Sequence, residues 1–102
     1  MKIDWTDNAI KDLREIKAYI SKDSEFYATR FLEKLIDGVG NLSIFPEMGR
    51  CMPEAQRELI RELIYRPYRI IYKINKNSID IITIVNCHRD LTNPELQKGE
   101  IG

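Results

Sequence analysis

The residues from Tyr68 to Ile74 alternate, with Tyr68, Ile70, Tyr72 and Ile74 on one side and Arg69, Ile71 and Lys73 on the other. A period of two held over a whole segment is the pattern of a strand with one buried face. Leu63, Ile64 and Tyr65 form a short apolar run before it, stopped by Arg66-Pro67. Asn75 to Ser78 makes a polar turn after it, and Ile79 to Val85 is β-branched at almost every position, as strands prefer. Together these segments predict a three-stranded antiparallel meander over Arg61 to Arg89. Ile81, Ile82, Ile84 and Val85 lack the alternation of a half-solvated strand, so the last strand is expected at the centre of the sheet with both faces covered. The side chains left to point outward are largely cationic: Arg61, Arg66, Arg69 and Lys73, with His88 and Arg89 at the strand's end.

The residues before the meander read as its cover. Lys2 to Trp5 is a short strand, and Thr6 or Asp7 can accept from the free N–H groups of a first helical turn. Ala9, Leu13, Ile16 and Ile20 then form one apolar stripe of an amphipathic helix, opposite Lys11, Asp12, Arg14, Glu15 and Lys17. Ser24 can cap a second helix that buries Ala28, Phe31, Leu32, Leu35, Val39 and Leu42. So short a connection makes an antiparallel helical hairpin. Gly38 and Gly40 weaken the end of the second helix, and Phe45-Pro46 stops it by removing a backbone donor. Glu47 to Gln56 is expected as an extended loop in which Gly49-Arg50 and Pro53-Glu54 are candidates for function. Arg57 to Ile60 fits either a helical turn or an early strand, and residues 90–102 read as a loose polar tail. The first strand must pair within the sheet, since alone it would leave its backbone groups unsatisfied. The predicted class is α+β, a single domain over 1–102 with strand, two-helix hairpin and meander, and with both helices on one side of the sheet.

Charge adds a direction. The chain has no net charge, but residues 1–49 are acidic by two and residues 50–102 basic by two. Six of the eight arginines (Arg50, Arg57, Arg61, Arg66, Arg69 and Arg89) fall between positions 50 and 89. Their planar forks suit phosphate or carboxylate, and Glu54, Glu58 and Glu62 among them equally suit surface ion pairs. No apolar run approaches a membrane span and the N-terminus lacks a signal-peptide core, so a cytoplasmic protein is expected. Cys51 and Cys87 have neither the number nor the spacing of a disulfide framework or zinc site, and are expected as reduced, partly buried thiols.

Phe45-Pro46-Glu47-Met48-Gly49-Arg50, Pro53-Glu54, Arg61-Glu62-Leu63, Tyr68-Arg69-Ile70-Ile71-Tyr72 and Arg89-Asp90, in that order, resemble the RelE/ParE superfamily of bacterial toxins. The resemblance implies a small toxin neutralised by a cognate antitoxin, with no cofactor and no metal. RelE-like members cut messenger RNA on the ribosome, whereas ParE-like members inhibit DNA gyrase, and one scaffold serves both. For a metal-independent nuclease the resemblance implies Arg69 as phosphate clamp, helped by Arg61 and Arg89, with Glu54 as base and His88 as acid. For a gyrase inhibitor it implies a gripping surface instead, for which Arg50, Arg57, Arg66 and Lys73 are the binding candidates. The intact Gly-Arg, Pro-Glu, Arg-Glu-Leu and Arg-Asp series favours the ParE-like branch. Asn86 stands where ParE-like sequences commonly carry a histidine, which leaves a non-toxic adaptor or decayed toxin as a further class. An acidic antitoxin segment would suit the arginine face, and its binding is expected to weaken with salt.

Overall fold

A computed structural model describes residues 1–52 and 59–87. In chain order the elements are β1 (Lys2–Trp5), α1 (Asp7–Ser21), α2 (Glu25–Gly40), a 3-10 turn at Asn41–Ser43, β2 (Arg50–Cys51), β3 (Ile60–Tyr65), β4 (Tyr68–Ile74) and β5 (Ser78–Asn86). The strands form one sheet in the order β1-β5-β4-β3-β2, antiparallel except where β1 joins β5 in parallel. The α+β class and the helical hairpin against the sheet are as the sequence predicts. β1 joins the sheet at one edge, as its backbone groups require, and β2 adds at the other edge a strand that the sequence did not predict.

Both helices begin where a side-chain oxygen replaces a missing backbone partner. The Ala9 amide donates to Thr6 Oγ1 at 3.1 Å, and the Tyr27 amide donates to Ser24 Oγ at 3.0 Å. Ala28, Phe31, Leu32, Leu35 and Val39 of α2 are buried, together with Leu42 in the turn that follows. Ala9 and Ile16 of α1 join them, against Tyr68, Ile70, Tyr72, Ile79, Ile81 and Ile84 of the sheet. The β4 alternation therefore does what its period requires.

On β5 the buried positions are Ile79, Ile81 and Ile84, a spacing of two and then three. The pairing explains the change of phase. Tyr72 faces Ile81 and Ile71 faces Thr83, which leaves Ile82 as an extra residue in a bulge. The strand is central as expected, but its unbroken apolar run reflects this shift of phase rather than full burial of both faces. Ile82, Thr83 and Val85 are only half-buried. The start of α1 serves the backbone around the bulge. Thr6 Oγ1 donates to the carbonyl of Ile81 at 2.7 Å, and Asp12 Oδ2 accepts from Thr83 Oγ1 at 2.6 Å and from the Ile84 amide at 2.9 Å.

The loop expected over Glu47 to Gln56 contains the short strand β2, which pairs Arg50 with Glu62 and Cys51 with Arg61. Cys51 is exposed rather than partly buried, Cys87 is half-buried, and both are free thiols. Among the described residues no helix is long and apolar enough to cross a membrane.

Candidate functional site

Directly opposed residues of a sheet share a face, so the strand register sorts the arginines. Arg50 lies across from Glu62, Glu62 from Ile71, and Ile64 from Arg69, all on the face turned away from the helices. Arg61 lies across from Tyr72, on the helix-facing side. Arg61 and Arg69, expected to act together on one phosphate, are thus placed on opposite faces.

On the outer face a carboxylate is the hub. Glu62 is 3% exposed and its two oxygens take two different guanidinium groups. Arg50 Nε donates to Oε2 at 2.5 Å and Arg69 Nη1 donates to Oε1 at 2.9 Å. The Arg69 side chain is 22% exposed and that of Arg50 69%, so the cluster has one shielded and one solvated arm. Two cations on one carboxylate leave a single net positive charge at this point. Ile60, Ile64, Ile71 and Val85 surround it on the same face, and Lys73 stands across from Ile60 and Asp80.

On the helix-facing side the same segment is tied down by a phenol. Tyr72 is fully buried, and its hydroxyl donates to the Pro46 carbonyl at 2.7 Å while accepting the Gly49 amide at 3.0 Å. Arg61 Nη1 donates to the Gly49 carbonyl at 2.8 Å. Gly49 packs so closely that a Cβ there would meet the Glu62 carbonyl oxygen and the Tyr72 hydroxyl at 2.6 Å each. Only glycine fits. Burial pushes the pKa of Tyr72 above its ordinary value of 10, against the smaller opposing pulls of the Gly49 hydrogen bond and the Arg61 charge. The hydroxyl therefore remains a neutral donor to Pro46.

The residues Pro46, Gly49, Arg50, Arg61, Glu62, Arg69 and Tyr72 are thus each other's partners across three segments of chain, the stretch from Pro46 to Arg50, β3 and β4. Sequence reasoning named the arginines and placed Tyr72 in the core, but did not name Glu62 as a site residue. Arg66 stands apart in the turn between β3 and β4, beside α2. Glu54, Arg57, His88 and Arg89 lie outside the described residues, as does the predicted tail. Among the described residues no cluster of His, Cys, Asp and Glu is arranged to hold a metal ion. The outer face presents aliphatic side chains around a charge-paired arginine cluster.

Residues 3–91 match the family described as the ParE toxin of the type II toxin-antitoxin system parDE. The Y4kP protein of Sinorhizobium fredii is 35% identical over 89 residues, 86% of this chain and 90% of that protein. Toxin RelE2 of Caulobacter vibrioides is 32% identical over 85 residues, 83% of this chain and 93% of that one. A solved structure of a chromosomal ParDE toxin-antitoxin system from P. aeruginosa superposes with a TM-score of 0.70. It covers 84% of this chain and 95% of its own at 22% identity, a likeness of fold.

Proposed function

The chain belongs to the ParE toxin family of type II toxin-antitoxin systems, the toxin partner of a cognate antitoxin, and from that premise we propose that it arrests growth by inhibiting DNA gyrase. The outer face of the sheet, centred on Arg50 and Arg69, is the surface that grips the target. The observation that carries this reading is the pairing of Glu62 with both arginines. A ribonuclease of this scaffold needs Arg69 to meet the charge that builds on a phosphate in the transition state. Here Arg69 Nη1 is held by a buried carboxylate, which opposes that charge. A binding surface has no such requirement, and arginine is among the residues enriched at interface hot spots.

The name of the relative RelE2 keeps messenger RNA cleavage as the second reading. One experiment separates the two: controlled expression without the antitoxin, followed by mapping of messenger RNA ends and a supercoiling assay with purified toxin and gyrase. Blocked supercoiling with intact messages is expected. Cleavage inside translated codons that disappears in Arg69→Ala would return the chain to the nuclease branch. Growth without arrest would leave only the adaptor or decayed-toxin class.

A further inference from the structure

Away from the outer face, α2 and the turn between β3 and β4 enclose an open cleft of about 690 Å³. Phe26, Tyr27, Phe31 and Tyr65 supply its aromatic lining, and Arg30, Lys34 and Arg66 the rest. Phe26 is 74% exposed and Tyr27 58%, although they stand side by side on one helix. Phe31 forms the floor, 5.2 Å from the Tyr65 ring and 5.8 Å from Tyr68 between centroids. Arg30 lies 5.7 Å from the centre of the Phe26 ring, within cation–π range. Among the described residues none of the three cations pairs with a carboxylate, and no acidic side chain lines the cleft.

A second cleft gives the contrast. It is lined by Met1, Ile44, Phe45, Pro46, Met48 and Ile74, and its one charged side chain is the acid Glu47. That is the chemistry of an apolar protein contact. The cleft on α2 presents no aliphatic side chain, only rings and cations. Arg30 and Lys34 follow one another at four-residue spacing, about 6 Å along the helix axis, on the scale of one nucleotide step in an extended strand. Rings that take base faces, interleaved with cations that take phosphates, are what sequence-independent binding of single strands requires.

We propose that the cleft between α2 and the β3–β4 turn binds single-stranded nucleic acid, with Phe26 and Tyr27 stacking on bases and Arg30, Lys34 and Arg66 contacting phosphates. The surface is separate from the arginine cluster of the outer face. In a protein of no net charge such binding is weak, with a dissociation constant on the order of 10⁻⁴ to 10⁻⁶ M at physiological salt.

The test is fluorescence anisotropy of the purified full chain with a labelled twelve-residue oligothymidylate. Three phosphate contacts predict a slope of log K against log salt of about −2, so affinity falls about 20-fold between 50 and 200 mM salt. Phe26→Ala and Tyr27→Ala should each weaken binding about tenfold, and Arg66→Ala should make the slope shallower by about 0.7. These side chains are exposed, and circular dichroism confirms that the variants fold. Lys17→Ala, on α1, should bind as the parent does. Absence of binding at 50 mM salt, or binding indifferent to Phe26→Ala and Arg66→Ala, would overturn the proposal. Poly-L-glutamate serves as the counter-probe. Binding of it that is lost in these variants, with none of the oligonucleotide, would assign the cleft to an acidic peptide instead.

Discussion

The two faces of the sheet use the same strands under opposite rules. Towards the helices, Ile70, Ile79, Ile81 and Ile84 are buried and need only shape from their neighbours. Away from them, Arg50, Glu62 and Arg69 are held by specific partners, and the aliphatic residues around them are half-buried or exposed. The first kind of face follows from a period in the sequence. The second depends on which charged side chain meets which, and that is a property of register.

The largest expected effect tests whether the faces differ in energy. Ile81→Ala, at a fully buried position, should cost about 2–5 kcal/mol of unfolding free energy, since a cavity remains where the side chain was. The same truncation at Ile71, half-buried on the outer face, should cost less than half as much. Chemical denaturation of both variants measures the difference. Equal costs would mean that the outer face is packed as tightly as the core.

Tyr72 joins the two regions, because its ring is core while its hydroxyl fixes the segment that carries Arg50. Tyr72→Phe leaves the Gly49 amide and Pro46 carbonyl without that partner, at a cost of about 1–3 kcal/mol near neutral pH. The loss should depend on pH. With a folded pKa raised above 10, this phenol favours folding fully below pH 10. Its contribution falls as pH rises further, where the unfolded chain releases the proton more readily. Parent and variant should therefore converge in stability above pH 10, as followed by urea midpoints across that range. Parallel profiles would show that the hydroxyl titrates as an ordinary exposed phenol.

What the sequence disclosed follows the same division. The stripes of α1 and α2, their caps at Thr6 and Ser24, and the alternation of β4 were readable because period and cap chemistry are local. The parallel pairing of β1, the strand at Arg50–Cys51 and the bulge at Ile82 were not, since each depends on contacts between distant segments. Glu62 lay between the two cases. The turn at Arg66-Pro67 sets Tyr65 against Tyr68 and hence Ile64 against Arg69. That register puts Glu62 one diagonal step from Arg69, within reach of long side chains. Counting back from the turn could have found the carboxylate. The partner on its other side, Arg50, could not have been found so, because Cys51 and Ile60 are too far apart in the sequence for a tight turn to set their register.

The smallest effect bears on that carboxylate and on how far the outer face resembles a core. Glu62→Gln keeps the volume and removes the charge. The new amide can still accept from one guanidinium, but its NH₂ then points at the other, donor against donor. A fully buried ion pair broken on one side costs about 3–5 kcal/mol. Here the cost should be nearer 1 kcal/mol, since Arg50 is largely solvated and can turn to water, as partners in exposed pairs do. Adding Arg50→Ala to the Glu62→Gln variant should then change little further, because the pair that Arg50 belonged to is already gone. A double-mutant cycle of the two substitutions reads that coupling directly. A coupling near zero would make Glu62 a partner of Arg69 alone. A coupling of several kcal/mol would mean that Arg50 is shielded from solvent in solution and that the outer face, like the inner one, is closed.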